Sequence, residues 1–122
     1  MLKEVIEVRQ NPGEDQRKMF QDEEFDLFIW YKDQETISGF QLCYDKGQME
    51  KALSWHEGGG FSHDQVQSGE EVYQVKRASS LKSIEGKKIP GVINQLKKAA
   101  GVLKVKDAEF IFMKLKEYQK EI

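Results

Sequence analysis

The sequence predicts a single α+β domain over residues 1–122, in which an antiparallel meander sheet of about four to six strands is followed by two C-terminal helices packed on it. Segments rich in β-branched and aromatic residues alternate with turn residues over 1–76. Apolar residues at helical spacing begin only at 89–122. The intervening residues 77–88 are polar and basic, and we expect them to form a loop. One domain is also what a chain of 122 residues normally forms.

Five strands are predicted, at 3–9, 25–32, 36–44, 49–56 and 70–76. A turn at 11–15 contains Pro12 and Gly13, and a further turn at 33–35 joins the second and third strands. Gly47, which can adopt a positive φ, marks the turn between the third and fourth strands. The middle three strands should therefore form consecutive hairpins.

These turns determine which residues share a face of the sheet. The first hairpin places Phe40 opposite either Leu27 or Ile29, and the second pairs Phe40 with Leu53 and His56 with Ile37. Every one of these registers gives the same faces, because side chains alternate along a strand. The expected core face holds Phe25, Leu27, Ile29, Phe40, Leu42, Leu53 and Trp55. The expected reverse face holds Phe28, Trp30, Gly39, Gln41, Cys43, Ala52, Ser54 and His56.

Two helices are predicted after residue 88. The first has an apolar stripe formed by Ile89, Ile93, Leu96, Ala100 and Leu103. In the second, over 107–122, Asp107 is expected to be the N-cap. The segment 110–115 is also compatible with a strand, so the sequence leaves two alternatives there.

Composition excludes several classes of protein. Cys43 is the one cysteine, so the chain cannot form an internal disulfide, and a reducing compartment is expected. The N-terminus lacks a signal-peptide core, and the longest apolar run, 27–31, is far shorter than the ~20 residues that span a bilayer. We therefore expect a cytoplasmic protein with no membrane partner.

The charge is distributed unevenly along the chain. Residues 1–75 carry 16 acids and 7 bases, whereas residues 76–122 carry 5 acids and 12 bases. The two halves can form opposite layers whose charges attract, or the basic half can meet an anionic partner. Nucleic acid is not favoured as that partner, because the bases are almost all lysines and the aromatic residues of that half, Phe110, Phe112 and Tyr118, are expected in the core.

The most distinctive segment is 55–64, which reads WHEGGGFSHD. It holds both histidines of the chain, His56 and His63, and three consecutive glycines. A run of glycines normally occurs where the backbone must adopt a conformation that other residues disfavour. Two imidazoles with Glu57 or Asp64 would be a zinc ligand set, although the spacing fits no helical zinc motif. Otherwise the segment is a glycine-rich turn in which the strand ends and leaves the sheet.

Two further kinds of site could include this segment: a phosphate-binding site and a catalytic cysteine–histidine pair. No cofactor is expected, since the phosphate-binding motifs G-x-x-x-x-G-K-[ST] and G-x-G-x-x-G are both absent from the sequence. Pairing of His56 with Ile37 separates Cys43 from His56 by about 20 Å, too far for a catalytic dyad. A pairing of Cys43 with His63 stays open, because the glycine segment can fold back on the sheet.

The blocks GFQLCYDK at 39–46 and ALSWHEGGGFSH at 52–63 resemble an uncharacterised family of short bacterial proteins. The resemblance covers residues 25–72 and implies a bacterial cytosolic protein. It assigns no activity and marks no residue as catalytic.

Together these observations favour a small cytosolic binding or interaction module without catalysis. The candidate binding residues are Trp30, Ser54, His56, Phe61, His63 and Asp64. The alternative is a small metal-dependent enzyme, such as a hydrolase, that uses His56 and His63. The expected partner is another protein or a second copy of the chain, which could pair with an uncovered sheet edge at 2–9.

Overall fold

A computed structural model of the chain describes residues 1–66 and 88–121. Six antiparallel strands follow one another in sheet order, as a meander. They are β1 (Lys3–Glu4), β2 (Gln16–Gln21), β3 (Asp26–Tyr31), β4 (Ile37–Tyr44), β5 (Lys51–His56) and β6 (Gly60–Gln65). Two helices, α1 (Ile89–Ala99) and α2 (Val105–Glu121), come after the sheet. The predicted α+β class, with a meander sheet and two C-terminal helices, is confirmed.

The strands at the two margins of the sheet differ most from the prediction. The expected first strand at 3–9 contracts to the two residues of β1. The strands β2 and β6 were not predicted, and they extend the sheet on both sides of the β3–β5 hairpins. The predicted strand at 70–76 lies outside the described residues, as does nearly all of the predicted loop at 77–88.

The strand registers of the central hairpins determine which side chains share a face of the sheet. Leu42 lies opposite Leu27 and Phe40 opposite Ile29, which is one of the two registers left open by the sequence. The predicted register between β4 and β5 is wrong by two residues, since Phe40 pairs with Trp55 rather than with Leu53. A shift of two residues leaves every side chain on its predicted face.

The core lies between one face of the sheet and the two helices. Phe40, Leu42 and Leu53 have no exposed surface, and the helices contribute Ile89, Leu96 and Ile111 to the same cluster. Burying an apolar side chain of this size stabilises a fold by about 1.5–3 kcal/mol. The apolar stripe of α1 and the predicted core face of the sheet therefore meet as expected.

The second helix begins earlier than the sequence indicated. It starts at Val105, so Asp107 lies in its first turn and is not the N-cap. The Asp107 side chain is buried, and its Oδ2 accepts a hydrogen bond of 2.8 Å from the hydroxyl of Tyr31. The competing strand interpretation of 110–115 is wrong, because those residues lie within α2.

Candidate functional site

The three glycines form a tight turn between two paired strands. His56 pairs with Gly60 across the hairpin, and the N–H of Gly59 donates a hydrogen bond of 2.9 Å to the carbonyl oxygen of His56. Gly58 and Gly60 have φ values of 81° and 71°, in the left-handed region that glycine tolerates best. The prediction that the chain leaves the sheet here is wrong, since β6 returns along β5.

The turn places the two histidines on opposite faces of the sheet. His56 lies opposite Gly39 on the reverse face, whereas His63 lies opposite Leu53 on the core face. The two imidazoles therefore cannot bind one metal ion. Among residues 1–66 and 88–121, no group of three or more His, Cys, Asp and Glu side chains is arranged to hold a metal.

His63 is part of the interior of the protein. Its side chain is buried, with Nε2 2.6 Å from the hydroxyl of Tyr44 and Nδ1 2.8 Å from the hydroxyl of Tyr118. A neutral imidazole has one donor and one acceptor nitrogen, so one of these hydroxyls donates and the other accepts. Burial raises the pKa of Tyr118 to about 12. His63 thus joins β4 to α2 through a buried polar chain.

His56 is exposed and rests on the backbone of the neighbouring strand. A Cβ atom added to Gly39 would overlap His56 Nδ1 and would lie 2.9 Å from the carbonyl oxygen of Trp55. The imidazole therefore occupies the place that a side chain at position 39 would need. The centroid of the same ring lies 5.3 Å from that of Trp30. Loss of water on the packed side of the ring lowers the pKa of His56, which favours the neutral imidazole.

Trp30 and His56 form the floor of an open cleft of about 480 Å³ at the ends of β3 and β5. Its other lining residues are Glu14, Asp15, Lys32, Ser38 and Glu57. A β-bulge, at the step from Trp30 to Tyr31, shifts the register between β3 and β4 beside the cleft. Bulges of this kind redirect side chains and are common next to binding sites.

The charge of the cleft is negative. Among the described residues that line it, Glu14, Asp15 and Glu57 carry three carboxylates, against the single ammonium of Lys32. That ammonium lies 2.9 Å from Glu57 Oε2, and the ion pair raises the pKa of Lys32. The charge of Lys32 is thus neutralised by Glu57. The carboxylates of Glu14 and Asp15 then give the cleft its net negative charge.

The structure brings together only two of the six predicted binding residues, Trp30 and His56. Ser54 is buried on the reverse face, and its hydroxyl donates to Gln41 Oε1 at 3.3 Å. Phe61 lies on the core side, with its ring centroid 5.2 Å from that of Tyr118. Asp64, like His63, is buried. These four residues belong to the framework of the protein.

Cys43 has neither the position nor the ionisation state of a nucleophile. Its side chain is buried, and burial raises the pKa of the thiol to about 12. His56 lies opposite Gly39, four residues along β4, which separates it from Cys43 by about 13 Å. His63 lies on the other face of the sheet, so the pairing of Cys43 with His63 is also excluded.

The cleft-lining residues that were not among the predicted binding residues lie in three loops and at the β-bulge. One signal in the sequence could have located part of them: Lys32 ends one predicted strand and Glu57 directly follows another, and these two strands flank the same central strand. Side chains at such positions meet at one end of a sheet. Glu14 and Asp15 could not be placed in this way, because their position depends on β2.

No protein-family model, curated protein or solved structure matches the chain.

Within the described residues, neither helix combines the length and the apolar character that crossing a membrane requires.

Proposed function

We propose that the protein is a small non-catalytic binding module and that its ligand docks in the cleft over Trp30 and His56. The observation that carries this proposal is the pair formed by the half-buried Trp30 ring and the exposed His56 ring, which has room because position 39 is a glycine. Because Gly39 has no side chain, the His56 ring can rest on the backbone there. This fixes the position of the ring and leaves its outer side uncovered. Rigid, partly exposed aromatic rings are frequent anchors for ligands.

The ligand that fits this cleft presents a cationic group, such as the ammonium of lysine or the guanidinium of arginine. The face of a tryptophan ring attracts a cation within about 6 Å of its centroid. The carboxylates of Glu14 and Asp15 add a favourable electrostatic interaction. The neutral His56 ring adds no opposing charge.

The proposal of binding without catalysis is supported by the state of the reactive side chains. The thiol of Cys43 is buried and protonated, and both ring nitrogens of His63 are engaged by tyrosine hydroxyls. The metal-dependent enzyme considered from the sequence finds no support in the geometry, because its two histidines lie on opposite faces of the sheet. A bacterial origin and a cytoplasmic location remain predictions from the sequence.

Titration of ¹⁵N-labelled protein with short peptides tests this proposal. The probes are two tetrapeptides of the same length, one with two arginines and one with two glutamates. We expect the arginine peptide, and not the glutamate peptide, to shift the indole N–H resonance of Trp30 and the ring resonances of His56. Added salt should weaken the effect, because the attraction is partly electrostatic.

Two variants make the titration specific. Trp30→Ala should abolish the shifts at His56, whereas Met49→Ala, which alters a side chain that is 61% exposed and outside the cleft, should leave them intact. The proposal fails if neither peptide shifts the two rings, or if the shifts persist unchanged in Trp30→Ala.

A further inference from the structure

The helix α2 carries two apolar stripes, and only one of them faces the core. Ile111, Leu115 and Tyr118 are fully buried against the sheet. Val105 and Met113, by contrast, are 72% and 49% exposed. At 100° per residue these two groups lie on different sides of the helix. A surface helix normally needs a single apolar stripe, and within residues 1–66 and 88–121 Val105 and Met113 stay exposed instead of joining the core.

The second stripe borders a groove of about 810 Å³. Phe112 and Met113 line it from α2, and Gly101 and Leu103 line it from the connection between the helices. Exposed apolar surface concentrated in one place, with polar groups around it, is typical of interaction sites.

The polar groups around the groove are mainly basic. Lys116 lines the groove, and the ammonium of Lys97 lies 5.7 Å from the centroid of the Phe112 ring. Lys104 is exposed in the connection between the helices. Glu109 is the one acidic side chain that lines the groove within the described residues. A partner seated here therefore meets positive charge at the rim.

We propose that this groove binds an acidic amphipathic helix of a partner protein. Apolar side chains spaced three or four residues apart on that helix enter the groove, and its carboxylates meet Lys97 and Lys116. This is the helix-in-groove mode of recognition, in which the apolar face supplies affinity and the charged rim supplies orientation. The site is separate from the Trp30–His56 cleft and does not depend on it.

Fluorescence anisotropy with a labelled model peptide tests the proposal. The probe is a helical peptide of about 16 residues with leucines at helical spacing and glutamates elsewhere, and its control has lysines in place of the glutamates. We expect micromolar or tighter binding of the glutamate peptide and no measurable binding of the lysine peptide. Increasing ionic strength should raise the Kd.

Three variants locate the binding on α2. Lys116→Glu should raise the Kd about tenfold or more, and Met113→Asp should abolish binding. Lys120→Glu makes the same charge change at an exposed position of the same helix outside the groove, and it should leave the Kd within about twofold. If Met113→Asp failed to fold, the difference between Lys116→Glu and Lys120→Glu would still decide the question.

Four results would overturn the proposal. Absence of binding, or equal binding of the glutamate and lysine peptides, would do so directly. Tighter binding to vesicles of phosphatidylserine and phosphatidylcholine than to the peptide would assign the surface to lipid. A concentration-dependent dimer that Met113→Asp dissociates would assign it to a second copy of the chain. Trp30→Ala should leave peptide binding here unchanged, so failure of the cleft proposal and failure of this one are distinguishable.

Discussion

The two histidines lie seven residues apart on one hairpin and have opposite surroundings. His63, on β6, is buried between the hydroxyls of Tyr44 and Tyr118. His56, at the end of β5, is exposed and rests on Gly39 beside Trp30. The difference arises from strand alternation. His56 pairs with Gly60, and His63 lies three positions further along β6, which puts its side chain on the other face. The same residue type is therefore structural on one face and available to a ligand on the other.

The largest expected difference between the two histidines is in the free energy of unfolding. His63→Ala should lower it by about 3 kcal/mol, because the substitution leaves a cavity and removes the shared partner of two buried hydroxyls. His56→Ala removes an exposed ring. Apart from the lost contact with Trp30, it should change the free energy of unfolding by less than about 0.5 kcal/mol. Urea unfolding followed by circular dichroism measures both. Equal losses in the two variants would show that the contrast between the faces is wrong.

A second experiment tests the support beneath His56. Gly39→Ala should lower the free energy of unfolding by about 1–3 kcal/mol, because the new Cβ overlaps the His56 ring and crowds the Trp55 carbonyl oxygen. In the double variant with His56→Ala, part of this loss should disappear, since the ring contact is gone and only the backbone contact remains. Strict additivity of the two substitutions would mean that the imidazole does not lie over position 39.

The smallest expected effect is a shift in titration. The lowered pKa of His56 means that the folded protein binds fewer protons than the unfolded chain just below pH 6.5. The neutral ring's contribution to stability is complete above pH 6.5 and is lost as the pH falls through the lower folded-state value. NMR titration of the His56 ring should give a midpoint below 6.5 in the native protein and near 6.5 in urea.

Trp30→Ala provides the matched comparison for that titration. Removal of the indole opens the ring to water and should move the native midpoint of His56 towards the value in urea. A midpoint that is the same in the native protein, in the variant and in urea would contradict the burial of one side of the ring.

The sequence was sufficient to predict the fold class and the faces of the central strands. The apolar alternation of β3, β4 and β5 is strong, and an error of two residues in the register at Phe40 does not change any face. The strands β2 and β6 are different, since their sequences QRKMFQ and GFSHDQ are mostly polar. Their strand conformation depends on pairing with neighbours that propensity does not reveal.

The candidate site was predictable only in part for a related reason. Trp30 and His56 share a face of adjacent hairpins, so alternation alone brings them to the same side of the sheet. The surroundings of His63 depend on Tyr44 and Tyr118, which lie 19 and 55 residues away along the chain. Because β6 was missing from the prediction, the sequence assigned His56 to the reverse face of the sheet but could not assign His63 to either face.

The two buried polar contacts of α2 also restrict how the chain can change in length. Asp107 bonds to Tyr31 and Tyr118 bonds to His63, and their 11-residue separation is close to three helical turns. An insertion of one residue between them would rotate one contact by about 100° relative to the other, so both could not form together. Homologous chains that retain both contacts should therefore have gaps only outside 107–118.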